Sequence, residues 1–160
     1  MILKAFRTTI GIAVFITAVS FVVPNKKIVQ IQFSNYVGNS LLKLDSSIYK
    51  KELGQPYKVS EFKYYVSNIV LHNKNGKDYV SSQFFLVDQE DKSSQKIIFS
   101  DVPDGNYSSI SFTLGVDSLH NCNGAQTGAL DPIKGMFWTW NTGYIFVKMT
   151  GKSAVSHSPG

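Results

Sequence analysis

The sequence predicts an all-β fold, a single antiparallel β-sandwich domain that follows an N-terminal signal segment. Short runs of β-branched and aromatic residues recur along the chain, and turn-forming Gly, Pro, Asn and Asp separate them about every ten residues. From Ile28 onward, no stretch of about 11 residues or more has a helical period. With 160 residues that are 43% hydrophobic, 13% aromatic and 17% charged, the chain can form one apolar core.

The N-terminal 23 residues have the layout of a secretory signal. Lys4 and Arg7 precede an apolar run that extends from Ile10 to Val23. Ala18-Val19-Ser20 offers a cleavage site of small residues, and an uncleaved anchor, the only membrane contact that we expect, is the alternative. We therefore expect a periplasmic or secreted protein.

The first predicted strands are 27–33 and 59–72. In the first, Val29, Ile31 and Phe33 alternate with polar positions, which is typical of a half-buried strand. The second is rich in aromatic and β-branched residues, and the turn-forming pair Asn75-Gly76 that follows predicts a hairpin.

Three further strands are predicted at 82–88, 96–102 and 108–116, because polar or Pro-Asp-Gly segments separate them. Residues 117–135 lose this pattern, and such a long loop in a compact domain is usually functional or mobile. The predicted domain covers residues 28–160, and its closing Ser, Pro and Gly residues predict truncation at the C-terminus.

The formal charge of +5 does not indicate a nucleic-acid partner. Two of the positive charges lie in the leader, and all other basic residues are scattered lysines. Proteins that recognise nucleic acids usually contact phosphates and guanines through the planar guanidinium group of arginine. The lysines therefore indicate a solvated surface.

The sequence has none of the usual signatures of an enzyme. It has no Gly-x-Ser-x-Gly elbow, no glycine-rich phosphate loop and no evident acid/base pair. Asp88, Glu90 and Asp91 are interpreted as a solvated cluster in a polar turn. Asp117 and Asp131 flank the long loop and are interpreted as turn caps, with a calcium or catalytic role as the alternative. We expect a protein that is not an enzyme.

Aromatic and thioether side chains are concentrated in residues 135–151. In an extended conformation Met136, Trp138 and Trp140 project to one face. A thioether suits copper(I), and an indole is easily oxidised and also stacks on sugars and cations. Three interpretations stay open: ordinary core, a glycan platform, and a metal or redox site.

His120 and Cys122 form a His-x-Cys pair whose side chains share a face if that segment is extended. The spacing is compatible with a soft transition metal, and the alternative is a loop histidine beside an incidental thiol. His72 is interpreted as facing solvent. His157 lies in the terminal loop. Cys122 is the only cysteine, so it cannot form an intramolecular disulfide.

Five segments together resemble the MbnP-like family of secreted bacterial proteins. They are EFKYYVSNIVL, FFLVDQ, FTLGVDS, NGAQTGALDP and GMFWTWNTGYIFVKMTG, within residues 28–151. The resemblance implies an all-β periplasmic or secreted protein that is associated with copper handling and with methanobactin systems. It also implies copper(I) held by histidines, with a tryptophan oxidised to kynurenine nearby or as a ligand.

In relatives, a MauG-like di-haem enzyme is thought to oxidise the tryptophan, so such an enzyme is an expected partner besides copper. The candidates for oxidation here are Trp138, which we favour, and Trp140. Many relatives carry a histidine ligand at the position that Asn35 occupies in this sequence. The remaining candidate ligands are His120, Cys122 and Met136, with Met149 as a further soft donor.

The leading hypothesis is an exported copper-binding β-sandwich whose tryptophan accepts oxidation. The first alternative is a structural or interaction domain in which Trp138 and Trp140 are both buried. A weaker alternative is a glycan-binding domain.

Overall fold

The computed structural model describes residues 25–138 and 143–154. The predicted signal segment 1–23, Trp140 and His157 lie outside these residues. The strands and the helix of the described part are β1 (Lys26–Gln32), β2 (Tyr36–Val37), β3 (Ser40–Leu41), β4 (Tyr49–Lys50), β5 (Pro56–Asn73), β6 (Tyr79–Ser81), β7 (Phe85–Asp88), β8 (Lys96–Pro103), β9 (Tyr107–Leu114), α1 (Ser118–Cys122) and β10 (Val147–Ser153).

Strand β5 is the centre of a six-stranded antiparallel sheet. Along one edge, the N-terminal part of β5 pairs with β10 and its C-terminal part pairs with β9. The other edge pairs with β4, β7 and β6. Tyr64, for example, lies opposite Val147 of β10 and opposite Val87 of β7. The hairpin predicted at Asn75-Gly76 is confirmed, since it joins β5 to β6.

A β-bulge at Asn68 resets the alternation of side chains along β5. Asn68 has a φ of 50°, and the pairing with β9 shifts between Ser67 and Val70. Because one residue is added, the even-numbered Tyr64 before the bulge and the odd-numbered Leu71 after it enter the same core. The opposite side of the strand then carries Val70 and His72 beyond the bulge.

Strands β1 and β8 form a second, two-stranded antiparallel sheet that packs on one face of the central sheet. The buried residues between the two layers are Tyr64, Val66, Ile69, Leu71, Val87, Ile97, Phe99 and Val102. Val29, Ile31 and Phe33 pack against this core, as the alternation of the first predicted strand indicated. The predicted all-β antiparallel sandwich is thus confirmed.

The segment that follows β9 covers the other face of the central sheet. Its buried residues meet Tyr65 in a second core made of Tyr65, Val116, Leu130, Met136 and Tyr144. Neighbouring residues of a strand point to opposite faces, so Tyr64 and Tyr65 lie in different cores. The loop predicted at 117–135 is therefore a structural cover, although it also carries the candidate residues.

Helix α1 and two 3-10 turns, Gly128–Leu130 and Pro132–Lys134, lie within this cover. A helix of five residues is too short to produce a hydrophobic period, so the sequence did not reveal it. Within residues 25–138 and 143–154, no helix has the length and apolar character needed to cross a membrane.

Candidate functional site

Asp117 and His120 are joined by two kinds of hydrogen bond at the start of α1. The backbone N–H of His120 donates to Asp117 Oδ1 at 3.0 Å, and His120 Nδ1 lies 2.8 Å from Asp117 Oδ2. The backbone hydrogen bond lowers the pKa of Asp117 most, and the hydrogen bond from the imidazole lowers it further. The carboxylate is therefore an acceptor, and Nδ1 carries a proton. Asp117 caps the helix, as the sequence indicated.

The other ring nitrogen of His120, Nε2, has different surroundings. Within the described part of the chain, no group forms a hydrogen bond with His120 Nε2. The imidazole lies 4.6 Å from the Phe84 ring, measured between centroids, and both residues line an open cavity of about 420 Å³ together with Gln83, Gln126 and Thr127. An imidazole that a carboxylate orients through one nitrogen, with the other available, has the arrangement of a metal ligand.

Cys122 does not join His120 on a common face. The shared face required an extended segment, whereas both residues lie in α1. Residues two positions apart on a helix do not face each other. Cys122 is exposed, and among the described residues no group of three or more His, Cys, Asp and Glu side chains is placed to hold a metal ion.

Met136 and Trp138 have different surroundings. Met136 is completely buried beside Tyr65, whereas Trp138 is 38% exposed. They lie in one arm of a short hairpin, in which the Ile145 N–H donates to the Met136 carbonyl at 2.9 Å and the Trp138 N–H donates to the Gly143 carbonyl at 3.0 Å. Core packing thus describes Met136 but not Trp138, and Trp140 lies outside the described residues.

The Trp138 hairpin is tied directly to the segment that carries His120. Asn121 Oδ1 accepts the backbone N–H of Tyr144 at 2.7 Å, and Gln126 Nε2 donates to the His120 carbonyl at 2.8 Å. The backbone N–H of Gln126 in turn donates to the Tyr144 hydroxyl at 3.0 Å. An exposed tryptophan and an oriented histidine therefore lie on neighbouring parts of one bonded network. Sequence reasoning missed Asn121 and Gln126, since neither lies in a recognisable motif.

Asn35 lies on the other side of the central sheet. It accepts a hydrogen bond from the Tyr64 hydroxyl at 2.9 Å and donates to Gln89 Oε1 at 2.9 Å. Gln89 is 5% exposed and donates to the Leu42 carbonyl at 2.6 Å, so these amides satisfy one another, and Asn35 itself is half-buried. Asn35 belongs to the Tyr64 side, and His120 to the Tyr65 side. The two positions cannot contribute to one small site.

The comparisons with known proteins give one family. The family model described as MbnP matches residues 26–158, which is more than half of the chain. A search of curated proteins and a search of solved structures each found no match. The matched range contains every strand of the described residues, the Asp117–His120 pair and the Trp138 hairpin. The chain therefore belongs to the MbnP family.

Proposed function

We propose that this protein is an exported copper-handling protein, periplasmic or secreted, that binds copper(I) through His120. We further propose that Trp138 or Trp140 is oxidised to kynurenine by a di-haem partner enzyme. Membership of the MbnP family suggests a copper-related role associated with methanobactin. The observation that carries the proposal is the imidazole of His120, which Asp117 orients at 2.8 Å, while none of the described residues forms a hydrogen bond with Nε2.

The chemistry of this histidine fits copper(I). Imidazole is a good ligand for copper, and a carboxylate on the far nitrogen fixes the tautomer and makes the ligand more basic. The described residues supply one oriented imidazole and not a complete ligand set. A kynurenine at Trp138 or Trp140 would add an amine and a carbonyl donor on the neighbouring hairpin.

The exposure of Trp138 supports oxidation by a partner protein. A side chain that is 38% exposed can be reached by an enzyme that docks on the surface, whereas a sealed indole cannot. The alternative of a purely structural aromatic block requires that both tryptophans are buried. Trp138 does not meet this requirement.

The oxidation is tested on full-length protein purified from its own host. Peptide mass spectrometry should find kynurenine in the peptide that contains Trp138 and Trp140, and tandem spectra should assign the position. The matched control is the same protein produced in a host without a di-haem partner, in which both residues should remain tryptophan. Unmodified tryptophan in the native protein would refute this part of the proposal.

Copper binding is tested by competition with a chromogenic copper(I) chelator. His120→Gln should abolish most of the affinity, and Asp117→Asn should reduce it by about 10–100-fold, as is typical for the partner of a metal-binding histidine. Met149→Leu is the control, because Met149 is an exposed soft donor that pairs with Phe62 on the Tyr64 side of the sheet. Equal affinities of His120→Gln and wild type would exclude His120 as the ligand.

A further inference from the structure

Ser111, His72 and Asp78 form a chain of hydrogen bonds on the face of the central sheet that also carries Tyr65. His72 Nε2 lies 2.9 Å from Ser111 Oγ, and His72 Nδ1 lies 2.9 Å from Asp78 Oδ2. The sequence placed His72 in solvent with no role. In the structure the His72 side chain is 40% exposed and also has two bonding partners that are far from each other in the chain.

Three features of the fold bring these residues together. The bulge at Asn68 turns His72 away from the core, so that it shares a face with Val70. Val70 lies directly opposite Ser111 on β9, so Ser111 is the diagonal neighbour of His72. The hairpin between β5 and β6 brings Asp78 back beside His72.

The surroundings of Asp78 determine the tautomer of His72. The backbone N–H of Asn73 donates to Asp78 Oδ1 at 2.9 Å, and this bond, followed by the bond to His72, lowers the pKa of Asp78. The carboxylate therefore stays ionised and, when His72 is neutral, accepts its Nδ1 proton. Nε2 is left as an acceptor, and the Ser111 hydroxyl donates to it.

We propose that Ser111 is a nucleophile for acyl transfer from esters with good leaving groups, with His72 as its general base and Asp78 as a positioning residue. Serine, histidine and carboxylate in this bonding order can activate a hydroxyl on any fold. The hydrogen bonds of this site and those of His120 share no residue in the described part of the chain, and the proposed reaction does not depend on copper.

The acyl transfer from an aryl ester proceeds in two steps. Ser111 Oγ bonds to the ester carbonyl carbon while its proton moves to His72 Nε2, and the bond from carbon to the phenolate oxygen breaks. The phenolate leaves with the proton from His72. Water then attacks the acyl-serine and gives one proton to Nε2, which returns it to Ser111 as the carboxylic acid departs.

Asn68 places an amide donor on the same face. Its Nδ2 donates to Thr113 Oγ1 at 3.3 Å, and Thr113 lies two residues beyond Ser111 along β9. The second N–H of that amide forms no hydrogen bond among the described residues, and we assign it to the ester oxygen that becomes negative. The left-handed conformation of Asn68 keeps this side chain at the bulge.

The test is labelling of the full-length protein with a fluorophosphonate, which reacts with activated serines by loss of fluoride. Peptide mapping should place the label on Ser111. Ser109, on the same strand and face, is the internal reference because it forms no hydrogen bond with His72 in the described part of the chain. Ser111 should react about 100-fold faster than Ser109, as expected for general-base assistance.

Asp78→Asn separates this role from a structural one. The amide oxygen can still accept from Asn73, and the amide N–H₂ can donate to His72 Nδ1, so the hairpin keeps its bonds. The proton then has to lie on Nε2, which can no longer accept from Ser111. Labelling and turnover of p-nitrophenyl acetate should fall toward the rate of Ser109, while the melting temperature stays unchanged.

Two more variants complete the test. Asn68→Gly keeps a residue that favours positive φ but removes the amide, so it should slow labelling without loss of fold. His72→Gln should abolish the preference for Ser111. Equal labelling of Ser109 and Ser111 in the wild type, or full labelling of Ser111 in Asp78→Asn, would overturn the proposal.

Discussion

The rings of Tyr65 and Tyr144 meet edge to face, with centroids 5.9 Å apart, and among the described residues only the Tyr144 hydroxyl has hydrogen-bond partners. Tyr144 donates to the Gly124 carbonyl at 3.2 Å and accepts the Gln126 N–H at 3.0 Å. The hydroxyl of Tyr65 is buried without a hydrogen-bond partner in the described part of the chain, and burial raises its pKa.

Replacement by phenylalanine should therefore have opposite effects on stability at these two positions. Tyr65→Phe removes an unsatisfied buried hydroxyl, so it should raise the free energy of unfolding by about 1 kcal/mol. Tyr144→Phe leaves a carbonyl and an N–H unpaired, so it should lower the free energy by about 1–3 kcal/mol. Urea denaturation of both variants measures the difference. A loss of stability in Tyr65→Phe comparable to that in Tyr144→Phe would show that the Tyr65 hydroxyl has a partner.

The backbone and the surroundings of Gly115 leave no room for a side chain. Its φ is 127°, and a Cβ there would lie 2.9 Å from Cγ of Phe146. Gly115→Ala should therefore combine backbone strain with a clash and lower the free energy of unfolding by at least about 3 kcal/mol. Gly54→Ala is the control, because Gly54 has a φ of 76° with open space around it. The control should lose only about 1–2 kcal/mol in thermal or chemical denaturation.

The lowered pKa of Asp117 predicts that the protein loses stability in acid. Its folded pKa lies below the ordinary value of 3.8, so its bonds to His120 stabilise the fold fully above that pH. The contribution is lost as the pH falls from 3.8 through the lower folded pKa. Asp117→Asn keeps a capping oxygen but does not titrate. We would measure the free energy of unfolding of the wild type and of Asp117→Asn from pH 5 downward. The difference between the two should become smaller only below about pH 3.8. A difference that stays constant with pH would contradict the prediction.

We expect Asn35 to stabilise the fold and to take no part in copper binding. Asn35→Ala removes the partners of the Tyr64 hydroxyl and of Gln89, so it should lower the free energy of unfolding by about 1–3 kcal/mol. A double-mutant cycle with Tyr64→Phe should give a coupling energy of about 0.5–3 kcal/mol. The copper(I) affinity of Asn35→Ala should equal that of the wild type, because His120 lies beyond the central sheet. Loss of copper affinity in a folded Asn35→Ala protein would place the site on the Tyr64 side.

The sequence by itself determined the local features of this protein. Alternation in β1, the turn at Asn75-Gly76 and the capping by Asp117 are decided by residues within a few positions of one another, so each could be predicted. The fold class followed from the same signals. The candidate residues were recognised by side-chain chemistry, which does not depend on the fold.

Only the tertiary structure decided which of these residues meet. Strand register and the bulge at Asn68 depend on pairing with β9, whose residues lie more than 30 positions further along the chain. Those pairings separate Asn35 from His120 and join His72 to Ser111, and packing against Tyr65 encloses Met136 while Trp138 stays exposed. The physical reason is that a one-residue shift in pairing exchanges the two faces of a strand, and no local pattern contains that shift.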